Sequence, residues 1–141
     1  MIILDTNVVS ETSQALPSPR VLNWLAAQDA GELYTTTATE AELQYGLALM
    51  PRGKRRDQLE AAYARFLDVS LKGRILPFDR VAAREFGLIT AARRKAGRAI
   101  KVFDSQIAAI ATVHGAAVAT RDVGDFEHSG IRIINPWTTS A

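Results

Sequence analysis

The feature that most constrains this chain is its alternation of short, continuously apolar runs with longer stretches whose apolar residues recur at helical spacing. Ile2, Ile3 and Leu4 form the first run, and residues 33–36, 116–120 and 131–134 repeat its character. Residues 74–78 are a further candidate, weakened by Pro77. Runs without polar alternation suit strands buried on both faces, as parallel sheets require. Between them, Val21, Leu22 and Leu25 mark a helix after Pro19, and a second helix is expected over about residues 39–49. Leu59, Tyr63, Phe66, Leu67 and Leu71 repeat at helical period after Gly53. Asp79 is placed to cap a helix running through Ala82, Phe86 and Ile89. Phe103, Ile107, Ile110, Ala111 and His114 mark the next, which Gly115 is placed to end. Strand and helix alternating in this way predict an α/β fold, a three-layer α/β/α sandwich around a central parallel sheet with right-handed crossovers.

With 141 residues and no repeat or linker, the chain is expected to form one domain over residues 1–141. Its 48% hydrophobic and 23% charged residues exclude a disordered tail protein. No apolar run reaches the length of a membrane span and no basic segment precedes an apolar one at the N-terminus, so cytoplasmic residence without membrane contact is the expectation. There is no cysteine and there are only two histidines, which removes disulfides, thiolate chemistry and a His-rich zinc centre from consideration.

Open parallel sheets bind ligands beyond the carboxyl ends of their strands. Several acids fall at that edge. Asp5 closes the first strand, Glu42 lies in the opening turns of the helix after the second, Asp104 sits in the first turn of the Phe103 helix, and Asp122 follows residues 116–120. Asp125 is three residues further on. Each acid has an ordinary structural reading: Asp104 and Glu42 as partners of a helix dipole, Asp5 as a helix cap, Asp122 as a turn residue. Gathered in one crevice, however, four carboxylates repel each other unless a cation lies among them. An all-oxygen donor set favours a hard ion, Mg²⁺ or Mn²⁺.

Basic residues cluster at Arg52, Lys54, Arg55 and Arg56, and again at Arg93, Arg94, Lys95, Arg98 and Lys101. By themselves such groups are solvated helix ends, although they also suit a phosphate backbone.

The motifs in combination are more specific. Residues Ile3-Leu4-Asp5-Thr6-Asn7, Glu42-Leu43 with Gly46, Phe103-Asp104-Ser105-Gln106 and Ala119-Thr120-Arg121-Asp122 with the closing Asn135-Pro136-Trp137 resemble, in order and spacing, the motifs of PIN-domain ribonucleases. The resemblance covers nearly the whole chain and is closest to the VapC toxins of type II toxin–antitoxin systems, in the FitB-like subgroup. It implies a PIN-like fold, RNA cleavage dependent on Mg²⁺ or Mn²⁺, a homodimer, and inhibition by a cognate small antitoxin. By this resemblance Asp5 and Asp104 are the principal metal ligands, Glu42 and Asp122 complete the acidic ring, and Thr6 and Thr120 orient it. Relatives often carry Asn at the position of Asp122 and keep the acid at that of Asp125, whereas this chain has Asp at both. In that context Arg93, Arg94, Arg98 and Arg121 become expected RNA contacts. Surplus apolar residues over 16–25 and 59–71 are expected to bury against a second copy or an antitoxin. Two rivals remain. A phosphatase of the haloacid dehalogenase type would need an acid where Asn7 stands, and a catalytically degenerate PIN-fold binding module would have lost an acid.

Overall fold

The computed structural model describes residues 1–139. Strands β1 (Ile2–Leu4), β2 (Leu33–Thr36), β3 (Ile75–Leu76), β4 (Ala117–Ala119) and β5 (Ile133–Ile134) pair in parallel in the order β3-β2-β1-β4-β5. The chain builds outward from β1 in one direction through β2 and β3, then returns to its other side with β4 and β5. The strand order therefore reverses between β1 and β4, a crevice-forming position in such sheets.

Among the described residues, seven α-helices connect the strands: α1 (Thr6–Glu11), α2 (Pro19–Ala27), α3 (Thr37–Leu49), α4 (Lys54–Arg65), α5 (Arg80–Lys95), α6 (Val102–His114) and α7 (Val123–Phe126). Alternation along β1 sends Ile3 into one apolar cluster, with Ile107, Ile110 and Ala111 of α6 and Ala82 and Ile89 of α5. Ile2 and Leu4 go to the opposite cluster, with Val8, Val9, Val21, Trp24, Leu43, Leu47 and Tyr63. Helices thus cover both faces of the sheet, giving the three-layer α/β/α architecture.

Differences from the sequence-based expectation have local causes. The β3 pairing is shortened to two residues, ending before Pro77, which has no amide hydrogen to donate. The helix expected from residue 39 begins two residues earlier, because the Thr36 hydroxyl caps it by accepting from the Thr39 amide at 3.1 Å. Past Arg65 the chain widens into a π-helical turn over Phe66–Ser70, closed by Leu71 N donating to Phe66 O at 2.9 Å, with Leu67 and Leu71 buried. Of the apolar residues expected at an interface over 59–71, Tyr63, Leu67 and Leu71 are instead buried in the core, whereas Leu59 and Phe66 are half-buried and Val69 is exposed. The large apolar residues that do face solvent include Leu16, Leu22, Val81 and Leu88. No described helix is long and apolar enough to cross a membrane.

Candidate active site

Asp5 directly follows β1, and its backbone is fixed in the sheet by Asp5 N donating to Ala119 O at 2.9 Å. One side-chain oxygen accepts from the Thr6 amide at 2.7 Å, capping α1, and the other accepts from the Thr120 hydroxyl at 2.7 Å. Thr120 follows β4 and is fully buried, and it also accepts from Asp122 N at 3.0 Å. Asn7 completes this turn. Its amide nitrogen donates to Asp122 Oδ2 at 3.1 Å and lies 3.3 Å from Thr120 Oγ1, while its oxygen accepts from Arg121 N at 3.2 Å. On the other side, the Thr6 hydroxyl donates to Glu42, which the second turn of α3 presents to the crevice. Asp104 comes from the first turn of α6 and is buried.

A cavity of about 200 Å³ is lined by Asp5, Thr6, Asn7, Ser10, Glu42, Lys101, Asp104 and Asp122. The structure thus brings all four expected acids to one crevice. Of three larger hollows, those of about 460 Å³ beside α4 and about 590 Å³ beside Gly115 and Gly130 carry no carboxylate, and one of about 280 Å³ shares Glu42 with the crevice. Asp125 does not line the crevice, but its charge reaches Asp104 from α7.

The electrostatics carry the mark of crowding. Burial raises the Asp104 pKa to about 7, with Asp5, Asp125 and Glu42 adding repulsion and Lys101 opposing it. Burial likewise raises Asp5 to about 6 against the lowering effect of Thr120 and Thr6, and Glu42 and Asp122 push it further up. Among the described residues, no Lys, Arg or His forms an ion pair with any of these acids, and the one ion pair joins the N-terminal ammonium to Glu32. Nor, among the described residues, do three His, Cys, Asp or Glu side chains draw close enough to form a ready-made metal cage. A crevice whose ionised acceptors are all carboxylates, with Lys101 its one lining cation among the described residues, fits Mg²⁺ or Mn²⁺, which keep several waters and need few protein ligands.

The arginines separate. Arg94 and Arg98 are exposed. Arg93 is corrected: it is only 4% exposed, donating through Nε to Arg98 O at 2.8 Å and through Nη1 to the carbonyls of Gly124 and Glu127. Its charge is spent on tying the segment after α5 to α7, so no face remains for RNA. Arg121 lies over the Trp137 ring, 5.2 Å from its centroid. Lys101, Asn7 and Ser10 were not singled out as crevice residues. Lys101 sits within the second basic cluster, and only the fold shows it at the start of the helix that carries Asp104, lining the crevice.

Fold and crevice together define a parallel α/β protein with an acidic site at its switch point, and comparison with known proteins gives that class its family. The PIN domain family model matches residues 2–129. The chain is 46% identical over 137 residues to the VapC ribonuclease Y4jK of Sinorhizobium fredii, spanning 97% of this chain and 98% of the relative. It is 38% identical to Toxin FitB of Neisseria gonorrhoeae, spanning 97% and 99%. Among solved structures, FitAB bound to an IR36 DNA fragment superposes with a TM-score of 0.87 at 35% identity, covering 100% of this chain and 99% of the other. This chain belongs to the PIN-domain family.

Proposed function

We propose that the chain is a metal-dependent ribonuclease of the VapC kind, acting as the toxin of a toxin–antitoxin pair. The observation that carries this reading is the meeting of Asp5, Glu42, Asp104 and Asp122 in one crevice of a PIN fold, in a chain closely similar to a protein named VapC ribonuclease. Those four acids would hold Mg²⁺ or Mn²⁺. When bound, the ion supplies the positive charge that acidifies water and offsets charge developing on the phosphodiester.

The chain's own residues prepare that chemistry. Thr120 and Thr6 fix the acceptor directions of Asp5 and Glu42, and Asn7 holds the Asp122 turn against α1. Lys101 at the crevice rim offers a cation to a phosphate oxygen, and exposed Arg94 and Arg98 extend that positive surface along the RNA backbone. Asp125 tunes Asp104 from behind. Arg121, held over Trp137, presents a cation and a ring to the strand.

A cognate antitoxin would silence the crevice by presenting a cationic side chain, Arg above all, to the carboxylates. Val81 and Leu88, two turns apart on α5 and both exposed, supply an apolar stripe for a homodimer. The rival reading as a degenerate binding module lacks support, since no acid of the set is missing. Incubating the purified protein with unstructured RNA tests the proposal: cleavage in Mn²⁺ that stops in EDTA and returns on adding back the ion is expected. Undiminished cleavage in EDTA, or none in Mn²⁺, would overturn it.

A further inference from the structure

Gly46 sits inside α3, where a glycine weakens a helix by about 1 kcal/mol relative to alanine, and nothing in the fold calls for one. Its φ is not positive, and a Cβ built on it meets no atom within 4 Å. What the missing side chain leaves open is a pocket of about 280 Å³, lined by Thr6, Ser10, Glu42, Leu43, Gly46, Leu47, Met50 and Tyr63. Leu43, Leu47 and Tyr63 make its floor apolar, while Thr6, Ser10 and Glu42 are also walls of the acidic crevice. The two hollows share a boundary, so one ligand can occupy both.

We propose that this pocket seats an unpaired nucleobase of the RNA next to the phosphate held at the acidic crevice; the inference rests on the ribonuclease reading. Three observations favour a base. The pocket is a little smaller than the roughly 300 Å³ at which sites for drug-sized ligands begin, so it suits a single planar ring system. Its floor is apolar, with the aromatic side chain of Tyr63 in it, the kind of surface on which bases pack when RNA is read in single-stranded form. Its far side meets the first basic cluster: Arg56 Nη1 donates to Met50 O at 3.2 Å, and the charge of Arg55 reaches Tyr63. A base there has the catalytic crevice on one side and cations for the next phosphate on the other. Gly46 is then a specificity-determining residue, kept small to admit the base.

The test compares the parent with Gly46→Leu, which fills the pocket with a good helix former, and with Gly87→Leu in α5, a helical glycine whose added Cβ also meets nothing and which lies on another helix. Thermal melts establish that all three fold. Fluorescence anisotropy in EDTA then measures binding of a short labelled single-stranded RNA and of an equally long strand of abasic ribose phosphates. The parent and Gly87→Leu should prefer the RNA by about tenfold or more, the scale of one stacked base. Gly46→Leu should lose most of that preference while binding the abasic strand as the parent does, and in Mn²⁺ its KM for RNA should rise with little change in kcat. Because binding is read without metal or cleavage, an inactive parent would sink the ribonuclease reading and leave this measurement standing. An unchanged preference in Gly46→Leu overturns the proposal. So does a variant that keeps its preference but no longer binds a cognate antitoxin, which would make the occupant a protein side chain.

Discussion

Asp5 presents one carboxylate oxygen to the Thr6 amide and the other to the Thr120 hydroxyl, so a helix cap and a candidate metal ligand are the same side chain. Its two roles separate with pH. Native Asp5 holds its proton up to about pH 6, whereas the unfolded chain releases it near the ordinary value of 3.8. The folded state then binds more protons between those values, and this group's contribution to stability falls as pH rises through them. Asp5→Asn removes the buried charge and keeps an oxygen to cap α1. In EDTA at about pH 8 the variant should be at least as stable as the parent, with an advantage of up to about 3 kcal/mol that fades as pH falls to about 4. Thermal melts at both ends read this out, and a constant deficit at both would make Asp5 a cap and nothing more.

Arg93 gives the complementary lesson. In sequence it is one cation among five, indistinguishable from Arg94 and Arg98. Only the fold shows its guanidinium buried among backbone carbonyls. Arg93→Ala should therefore cost roughly 1.5–3 kcal/mol of stability, the range for hydrogen bonds to a charged group. Replacing Arg94 and Arg98 together should leave the melt in place and lower the log-log salt slope of RNA binding by about 0.7 per lost contact. Equal effects on stability from all three would contradict the division.

At the scale of elements, what could be read from sequence was what has a strong period. β1 was legible because its run is continuously apolar, β2 because Tyr34, Thr35 and Thr36 are strand-forming residue types, and α6 because its apolar spacing ends at Gly115, which takes the left-handed conformation there. Helix α1 was not legible. It is six residues long, carries the β-branched pair Val8 and Val9, and follows a strand without a break, so its local signal continues the strand; the Asp5 cap and burial in the core decide otherwise. Helix α7 has four residues, too few to show a period. The four acids could be listed from sequence because each flanks a recognisable element. Their shared edge of the sheet was legible too, but the crevice that joins them depends on β4 pairing beside β1 across more than a hundred residues, which no local pattern encodes. That pairing is locked at Thr120, whose one hydroxyl serves Asp5 and the Asp122 amide. Thr120→Val preserves shape and deletes the junction, so Mn²⁺ affinity measured by calorimetry should fall about 10- to 100-fold. An unchanged affinity would show that Asp5 needs no such support.

Across the whole molecule, charge is sorted. The acids converge at the switch point of the sheet, while Arg94, Arg98 and the Arg52 to Arg56 cluster stay exposed or at its margins. A metal ion bound among the acids would relieve the repulsion and burial that raise Asp5 and Asp104. Mn²⁺ at about 100 times its dissociation constant should stabilise the protein by roughly 2.7 kcal/mol, provided the unfolded chain does not bind it. The gain should be larger at about pH 8 than at about pH 5, where Asp104, with its pKa near 7, and Asp5, near 6, hold protons that compete with metal. A pH-independent gain would place the ion elsewhere.

The central claim is that these carboxylates are the RNA-cleaving site, and the most direct measurement is the rate at which one RNA is cut at saturating Mn²⁺ by the parent, by Asp5→Asn and by Asp104→Asn, each shown by its melt to be folded. Both variants should be slower by roughly a hundredfold or more, as expected when a preorganised charge at the reacting phosphate is removed. Folded variants that cut at the parental rate would contradict the account.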